Sequence, residues 1–456
     1  MKAFSSLIPR GGRVKRWIMI GILYQSILQI NGQNINTVAG AGTAGFSGDN
    51  ALATAAQIFD PGRVTLDKAG NLYIADTYNN RIRKVTAGTQ QITTVAGTGA
   101  GSFSGDGGLA TSATLFHPFS VAVDTGGNLY IADRNNNRIR KVDKSTGNIS
   151  TIAGLGTGAY SGDNGLASAA ELFYPIDIVG DGKGNLFIAD QNNNVIRKIV
   201  IGTGVITTVA GKGSGAYSGD GGLATSAELF YPTGIAVDTS GNLFIADEGN
   251  SAIRKVSKSN GLISTLAGDG NGAYTGDNGA ASLAELNNPT GLALDAAGNI
   301  FIADQFNNVI REINASTGKI TTIVGDGTAA YAGDGAPAIS AELNYPSGVA
   351  IDLSGNLFIA DYANNRIRMV SASTLTGTKG MSFNSNSFTV YPNPALGSIS
   401  IKSNFVLNTI TIYNSIGEVV YTEKTNSTTE LIDLSRQPSG LYILKIAAGS
   451  FRFLKL

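Results

Sequence analysis

The chain contains no cysteine and a single histidine, His117. Without cysteine there is no thiol nucleophile, no disulfide staple and no thiolate metal site. One histidine rules out any centre built on three. Charge is also scarce: Asp, Glu, Lys and Arg make up 14% of the residues and cancel to zero. That balance gives no reason to expect nucleic acid, which needs concentrated Lys and Arg. A run of about 20 apolar residues, the length a spanning helix normally needs, is missing too.

Glycine, by contrast, is abundant, at 60 in 456 residues, beside a hydrophobic fraction of 42%. The chain therefore reads as folded and turn-rich, too apolar and too weakly charged for disorder.

The glycines fall into a rhythm. GNLYIAD at Gly70–Asp76 returns intact at Gly127–Asp133, and related copies end at Asp190, Asp247, Asp304 and Asp361, each interval being 57 residues. SGD-like triplets ending at Asp49, Asp106, Asp163, Asp220, Asp277 and Asp334 keep the same period, as do TVAG-like segments from Thr37 to Thr322. Three landmarks in one phase make a six-unit array.

Inside a unit, short alternating runs predict four strands, as at Val121–Val123, Leu129–Ala132, Arg138–Val142 and Ile149–Ala153. Tight Gly, Asn and Asp turns between them imply antiparallel neighbours. Such a sheet exposes two faces, and stacking six around an axis buries them, so the expected architecture is all-β, a six-bladed β-propeller. Ile35–Ala39 corresponds to a fourth strand with no first three, while the last unit lacks its fourth. The N-terminal segment is therefore expected to complete the sixth blade and close the ring.

The repeated aspartates are expected to be structural, with Asp133 accepting backbone N–H groups of the following turn. Arg83, Arg140, Arg197, Arg254, Arg311 and Arg368 are expected to form blade-to-blade or turn-aspartate ion pairs. The SGD aspartates should make local turns or caps. They lack the GK[ST] ending of a phosphate loop and the ligand spacing of an EF-hand.

The segments GNLYIAD, NNRIRKV and the preceding P-x-x-V-A-V-D pattern resemble the NHL-repeat family of β-propellers, from about Ile35 to Val370. The resemblance implies a recognition scaffold for proteins, RNA or other ligands, with some enzymes among its relatives; fold alone does not choose between them. An NHL-like amidating lyase would need several histidines. A calcium- or magnesium-dependent lactonase-like enzyme could use oxygen ligands from Asp, Glu and Asn, so calcium stays open as a cofactor and none is firmly implied.

Ligand recognition is expected where the copies differ. Before the recurring proline stand Asp60, His117, Tyr174, Tyr231, Asn288 and Tyr345; two residues beyond it stand Arg63, Ser120, Asp177, Gly234, Gly291 and Gly348. Asp60, Arg63, His117, Ser120, Tyr174, Asp177, Tyr231, Asn288 and Tyr345 are the ligand-binding candidates, expected to rim one opening suited to a peptide or glycan. The pairs after the second strand, Thr77-Tyr78 to Tyr362-Ala363, form a second variable set whose direction the sequence does not give. No catalytic residue is assigned.

The ends suggest an export route. A basic beginning and the apolar WIMIGILYQSIL form a signal-like segment over residues 1–32. The propeller is expected over 34–371, a linker over 372–387 and a small β-sandwich-like domain over 388–456. This tail, through YPNP, IYNSIGEVV, PSGLYILKI and the terminal Phe453-Leu454-Lys455-Leu456, resembles the type A C-terminal sorting domain of the Bacteroidota type IX secretion system. The resemblance implies that the secretion machinery reads the tail and that the protein is secreted or held at the outer-membrane surface. The expected function is an exported recognition scaffold for an extracellular protein, peptide or glycan, with a non-enzymatic role favoured. The alternatives are an extracellular divalent-metal-dependent hydrolase and an architectural surface protein.

Overall fold

The structure, a computed structural model, describes residues 33–372 and, in the tail, 388–391, 397–403, 406–414, 418–438, 440–446 and 449–455. The signal-like segment and nearly all of the expected linker lie outside the described residues.

Each 57-residue unit forms one antiparallel four-stranded sheet. In the first blade the strands are Pro61–Leu66, Leu72–Asp76, Arg81–Val85 and Ile92–Ala96, paired in sequence order. The sixth blade takes Pro346–Ile351, Leu357–Asp361 and Arg366–Val370 from the end of the array, and its outer strand is Ile35–Ala39. Ile35 pairs with Val370 and Thr37 with Arg368. The ring is thus closed by sheet pairing between distant parts of the chain. Each innermost strand packs against the next, and the sixth returns to the first.

The core lies between blades, because alternation along each strand gives both faces to neighbours. Tyr73, Ala75 and Ile82 of the first blade pack with Val121, Leu129 and Ile131 of the second. At the closure, Phe358, Ala360 and Ile367 pack with Ile58, Val64 and Ile74. The long connection after each outer strand carries one short 3-10 turn, such as Ala110–Ser112, that tucks a buried alanine beneath it.

The three repeated landmarks prove to be one network. Arg83, on the third strand, is fully buried and pairs with Asp76 at 3.2 Å and Asp49 at 2.8 Å. It also donates to the carbonyls of Ser47 at 3.0 Å and Gln57 at 3.4 Å. Asp76 accepts from the Phe59 backbone at 2.8 Å and from Asn79 Nδ2 at 2.8 Å. Each arginine therefore pins the long incoming connection to its own blade. Burial pushes the Asp76 carboxyl up to about 6, against the pull of Phe59, Asn79 and Arg83.

Two expectations change in detail. The second-strand aspartates take their backbone N–H from the preceding connection, as Asp133 does from Phe116 at 2.8 Å, and only a side chain, Asn136, from the following turn. The SGD aspartates do more than turn locally: Asp220 reaches Arg254 at 2.7 Å and accepts from the Thr265 backbone of the outer strand at 3.0 Å.

In the tail, a three-stranded sheet and a four-stranded sheet share one core that includes Ile399, Ile401, Ile410, Ile412, Ile432 and Leu444. Two sheets over one apolar layer make a small sandwich.

Candidate functional site

The innermost strand begins at the recurring proline. The six residues just before it, Asp60, His117, Tyr174, Tyr231, Asn288 and Tyr345, all adopt positive φ, from +47° to +56°. This left-handed conformation is uncommon for bulky side chains and costs of order 1–3 kcal/mol each. It is held across blade boundaries. The backbone N–H of His117 donates to Asn80 Oδ1 at 2.8 Å, Tyr174 to Asn137 at 2.8 Å, Tyr231 to Asn194 at 2.9 Å and Tyr345 to Asn308 at 3.0 Å. Asp60 is held the same way by Asn365.

Around the axis on this face lies a cavity of about 280 Å³, lined by Arg63, Phe119, Arg134, Ile176, Gln191, Thr233, Glu248, Thr290, Gln305, Tyr345 and Tyr362. Five of these belong to the second variable set, the pairs following the second strand, which therefore points to the same opening as the pre-proline residues. Phe119, Ile176, Thr233 and Thr290 sit one residue past the proline, a position the sequence reading passed over. The position changes from Gly62 to Phe119, Ile176, Thr233 and Ser347 around the ring, repeating only at Thr290, and that variation was the available signal.

The candidates separate by location. Tyr345 and Arg63 line the cavity. Tyr174, Asn288 and Asp60 support residues that line it: Tyr174 lies with its ring centroid 5.1 Å from the Arg134 guanidinium, Asn288 donates to Glu248 at 3.0 Å, and the Asp60 carboxyl, pushed up by burial, is drawn down by the Tyr362 side chain. His117 is packed between Tyr78 and Phe116, with ring centroids at 4.6 and 4.8 Å, and its Nδ1 meets Asn135 at 3.0 Å. Burial and Arg134 lower its pKa, which favours the neutral ring. Tyr231 stacks on Phe230 at 4.7 Å, off the cavity wall.

Arg63, Ser120 and Asp177 form the floor. Arg63 reaches across the axis, donating to the carbonyl oxygens of Ser347 and, at 2.9 Å, of Thr290. It can do so because Gly291 and Gly348 occupy the equivalent places in blades five and six, and Gly234 in blade four leaves room for its acceptor, the Thr290 carbonyl. A Cβ on Gly291 would stand 2.5 Å from Arg63 Nη1, and one on Gly234 would stand 1.9 Å from the Thr290 oxygen. Asp177 lies 3.9 Å from Arg63 Nε and accepts from Ser120 Oγ at 2.6 Å and the Ile235 backbone at 2.9 Å. Beneath them a second cavity of about 280 Å³ opens among the lower ends of the innermost strands.

The electrostatics of the mouth are mixed. Burial depresses the Arg63 guanidinium, while Asp177 and Glu248 support its charge. Burial raises Glu248, with Asn288, Arg63 and Arg134 opposing. Among the described residues, no three His, Asp or Glu side chains are placed to hold a metal ion. The SGD-position carboxylates are each bound to a third-strand arginine.

The geometry agrees with sequence comparison. A model described as "NHL repeat" matches residues 60–85, 117–142 and 343–368, one described as "Teneurin NHL domain" matches 213–275, and one described as "Secretion system C-terminal sorting domain" matches 389–455. The chain is a six-bladed propeller in which the first, second and sixth units match NHL repeats. It ends in a secretion-system sorting domain, which marks it for secretion. "NHL repeat-containing protein 2" of Bos taurus is 27% identical over 351 residues, covering 69% of this chain and 47% of that protein, so the chain spans about half its length. Two solved structures from Bacteroides thetaiotaomicron share the fold. A structural genomics protein of unknown function has a TM-score of 0.56 at 17% identity, covering 75% of this chain and 76% of that one. An auxiliary nutrient binding protein has a TM-score of 0.53 at 15% identity, covering 74% of this chain and 76% of that one.

Proposed function

We propose that the protein is an exported or cell-surface recognition scaffold that binds an extracellular glycan, peptide or protein at the axial mouth, while its tail is read by type IX secretion machinery. The observation that carries this reading is the convergence of non-repeating residues. Arg134, Gln191, Glu248, Gln305 and Tyr362 come from consecutive blades at one repeat position and meet around one cavity, whereas the buried network beneath them repeats in every blade. Aromatic faces, amides and charges at a concave, largely preformed opening are the composition of a small recognition site.

Glycan and peptide arrays probed with the full chain test it. Binding should appear for a defined ligand class and be lost in a Gln191→Ala/Gln305→Ala/Tyr345→Ala variant that unfolds at the wild-type temperature. Array binding that this variant retains in full would reject the mouth as the site.

A further inference from the structure

One residue at the mouth is unlike its counterparts. Every other arginine of the described propeller has an acceptor: the six third-strand arginines each meet carboxylates and carbonyls, Arg63 meets two carbonyls, and Arg81, Arg138 and Arg366 reach backbone oxygens. The Arg134 guanidinium makes no hydrogen bond or ion pair with the described residues, and its Nε is buried. Five of the six third-strand arginines also leave Nε unpaired, Arg368 being the exception, but they spend both terminal nitrogens. Arg134 spends none.

Its orientation is nevertheless fixed. The guanidinium carbon lies 5.5 Å from the Phe119 ring centroid and 5.1 Å from that of Tyr174, so two aromatic contacts hold the head at the cavity wall. A partly buried cation held in place without an acceptor carries a desolvation cost that an anion would offset. A planar guanidinium with free donors suits a carboxylate, which it can engage through two parallel hydrogen bonds.

The rest of the wall narrows the choice. Gln191 and Gln305 offer amides, Glu248 offers an acceptor, and Tyr362 and Phe119, with ring centroids 6.4 Å apart, offer flat apolar faces. Glu248 disfavours a compact multiply charged anion but accepts from hydroxyl groups. A cavity of about 280 Å³ falls just below the usual size range of drug-sized sites, roughly 300–1,000 Å³, and so suits one ring more than an extended chain.

We propose that the mouth holds a carboxylate-bearing sugar residue of an acidic glycan, with the carboxylate on Arg134 and the ring hydroxyls on Gln191, Glu248 and Gln305. This assignment rests on the reading of the mouth as a recognition site. It adds the ligand class and the residue that selects it.

Calorimetric titration of the full chain with trigalacturonate, its neutral counterpart trigalactose and a tri-aspartate peptide tests the assignment. Trigalacturonate should bind at least about ten-fold more tightly than either, the scale of one charge-assisted pair. Arg134→Gln should reduce the preference over trigalactose to less than about two-fold while the protein stays folded, because no hydrogen bond or ion pair within the described residues is lost, only the two ring contacts. Failure of trigalacturonate to bind, equal binding of the two saccharides, tighter binding of the peptide, or a preference unchanged in Arg134→Gln would overturn it. The broader reading fails separately. If a neutral or peptide ligand is lost in the Gln191/Gln305/Tyr345 variant but kept in Arg134→Gln, the mouth stands and the acidic sugar falls. If no array ligand responds to the mouth variant, both fall.

Discussion

Arg63 Nη2 donates to the carbonyl oxygen of Thr290 at 2.9 Å, joining the first blade to the fifth across the axis. The contact divides the axial space into two cavities and requires small residues opposite it. Gly234→Ala should destabilise the propeller by about 1–3 kcal/mol, because the new methyl meets a backbone oxygen that cannot swing away. Gly202→Ala, with nothing within 4 Å, should stay near neutral. Urea denaturation midpoints of the two variants check the contrast.

The buried arginine network makes a graded prediction. Asp247→Ala leaves the fully buried Arg254 without its buried partner and should cost about 3–5 kcal/mol. The Asp220 side chain is 40% exposed, so water can partly replace it, and Asp220→Ala should cost about 1 kcal/mol. Equal losses in chemical denaturation would mean that the two carboxylates do not divide the work in this way.

Glu312 sets a pH dependence. The matching places in the first four blades hold Lys84, Lys141, Lys198 and Lys255, and the sixth holds Met369. Glu312 is buried with Oε1 unpaired, and burial together with Asp295 pushes its carboxyl up to about 7 from 4.5. A folded-state pKa above the unfolded value means that the native protein holds the proton more tightly. The contribution is therefore full below about pH 4.5 and is lost as pH rises through about 7. Glu312→Gln should be close to neutral at pH 5 and stabilising at pH 8, by on the order of 1–3 kcal/mol. Thermal midpoints at the two pH values decide it; a difference independent of pH would contradict the assignment.

Ring closure rests on Ile35–Ala39 completing the sixth sheet. Deleting Asn34 to Gly40 exposes the Arg366–Val370 edge and uncovers Ile367 and Val370, both fully buried. The thermal transition should fall and broaden markedly. An unchanged cooperative transition would show that the clasp contributes little.

The fold was legible because one 57-residue spacing carried three kinds of residue, and the displaced fourth strand announced the closure. The tail was legible from motif order. The mouth was legible only by halves. Variation at the pre-proline and post-strand positions marked twelve places, but only coordinates showed that Arg134, Gln191 and Glu248 face the same opening as Tyr345. Arg63 looked like a rim residue because repeat position says where a Cα sits and not how far a long side chain extends. Its span past Gly291 and Gly348 is a property of the assembled ring. Likewise, a lone histidine with no base partner already favours a surface or packing role, and the coordinates supply the packing partners, Tyr78 and Phe116, on either side of it.

The central claim is that recognition lies at the axial mouth, and the lateral grooves between blades are its structural competitors. Grooves of about 310 Å³ lie beside Lys84 and Lys198. Titration of an array-selected ligand against two variants separates them most directly. Affinity should fall at least about a hundred-fold in Gln191→Ala/Gln305→Ala/Tyr345→Ala and stay within about two-fold of wild type in Lys84→Ala/Lys198→Ala, a difference of roughly 2.7 kcal/mol or more for the mouth variant. The opposite pattern would place the site in the grooves and contradict the account.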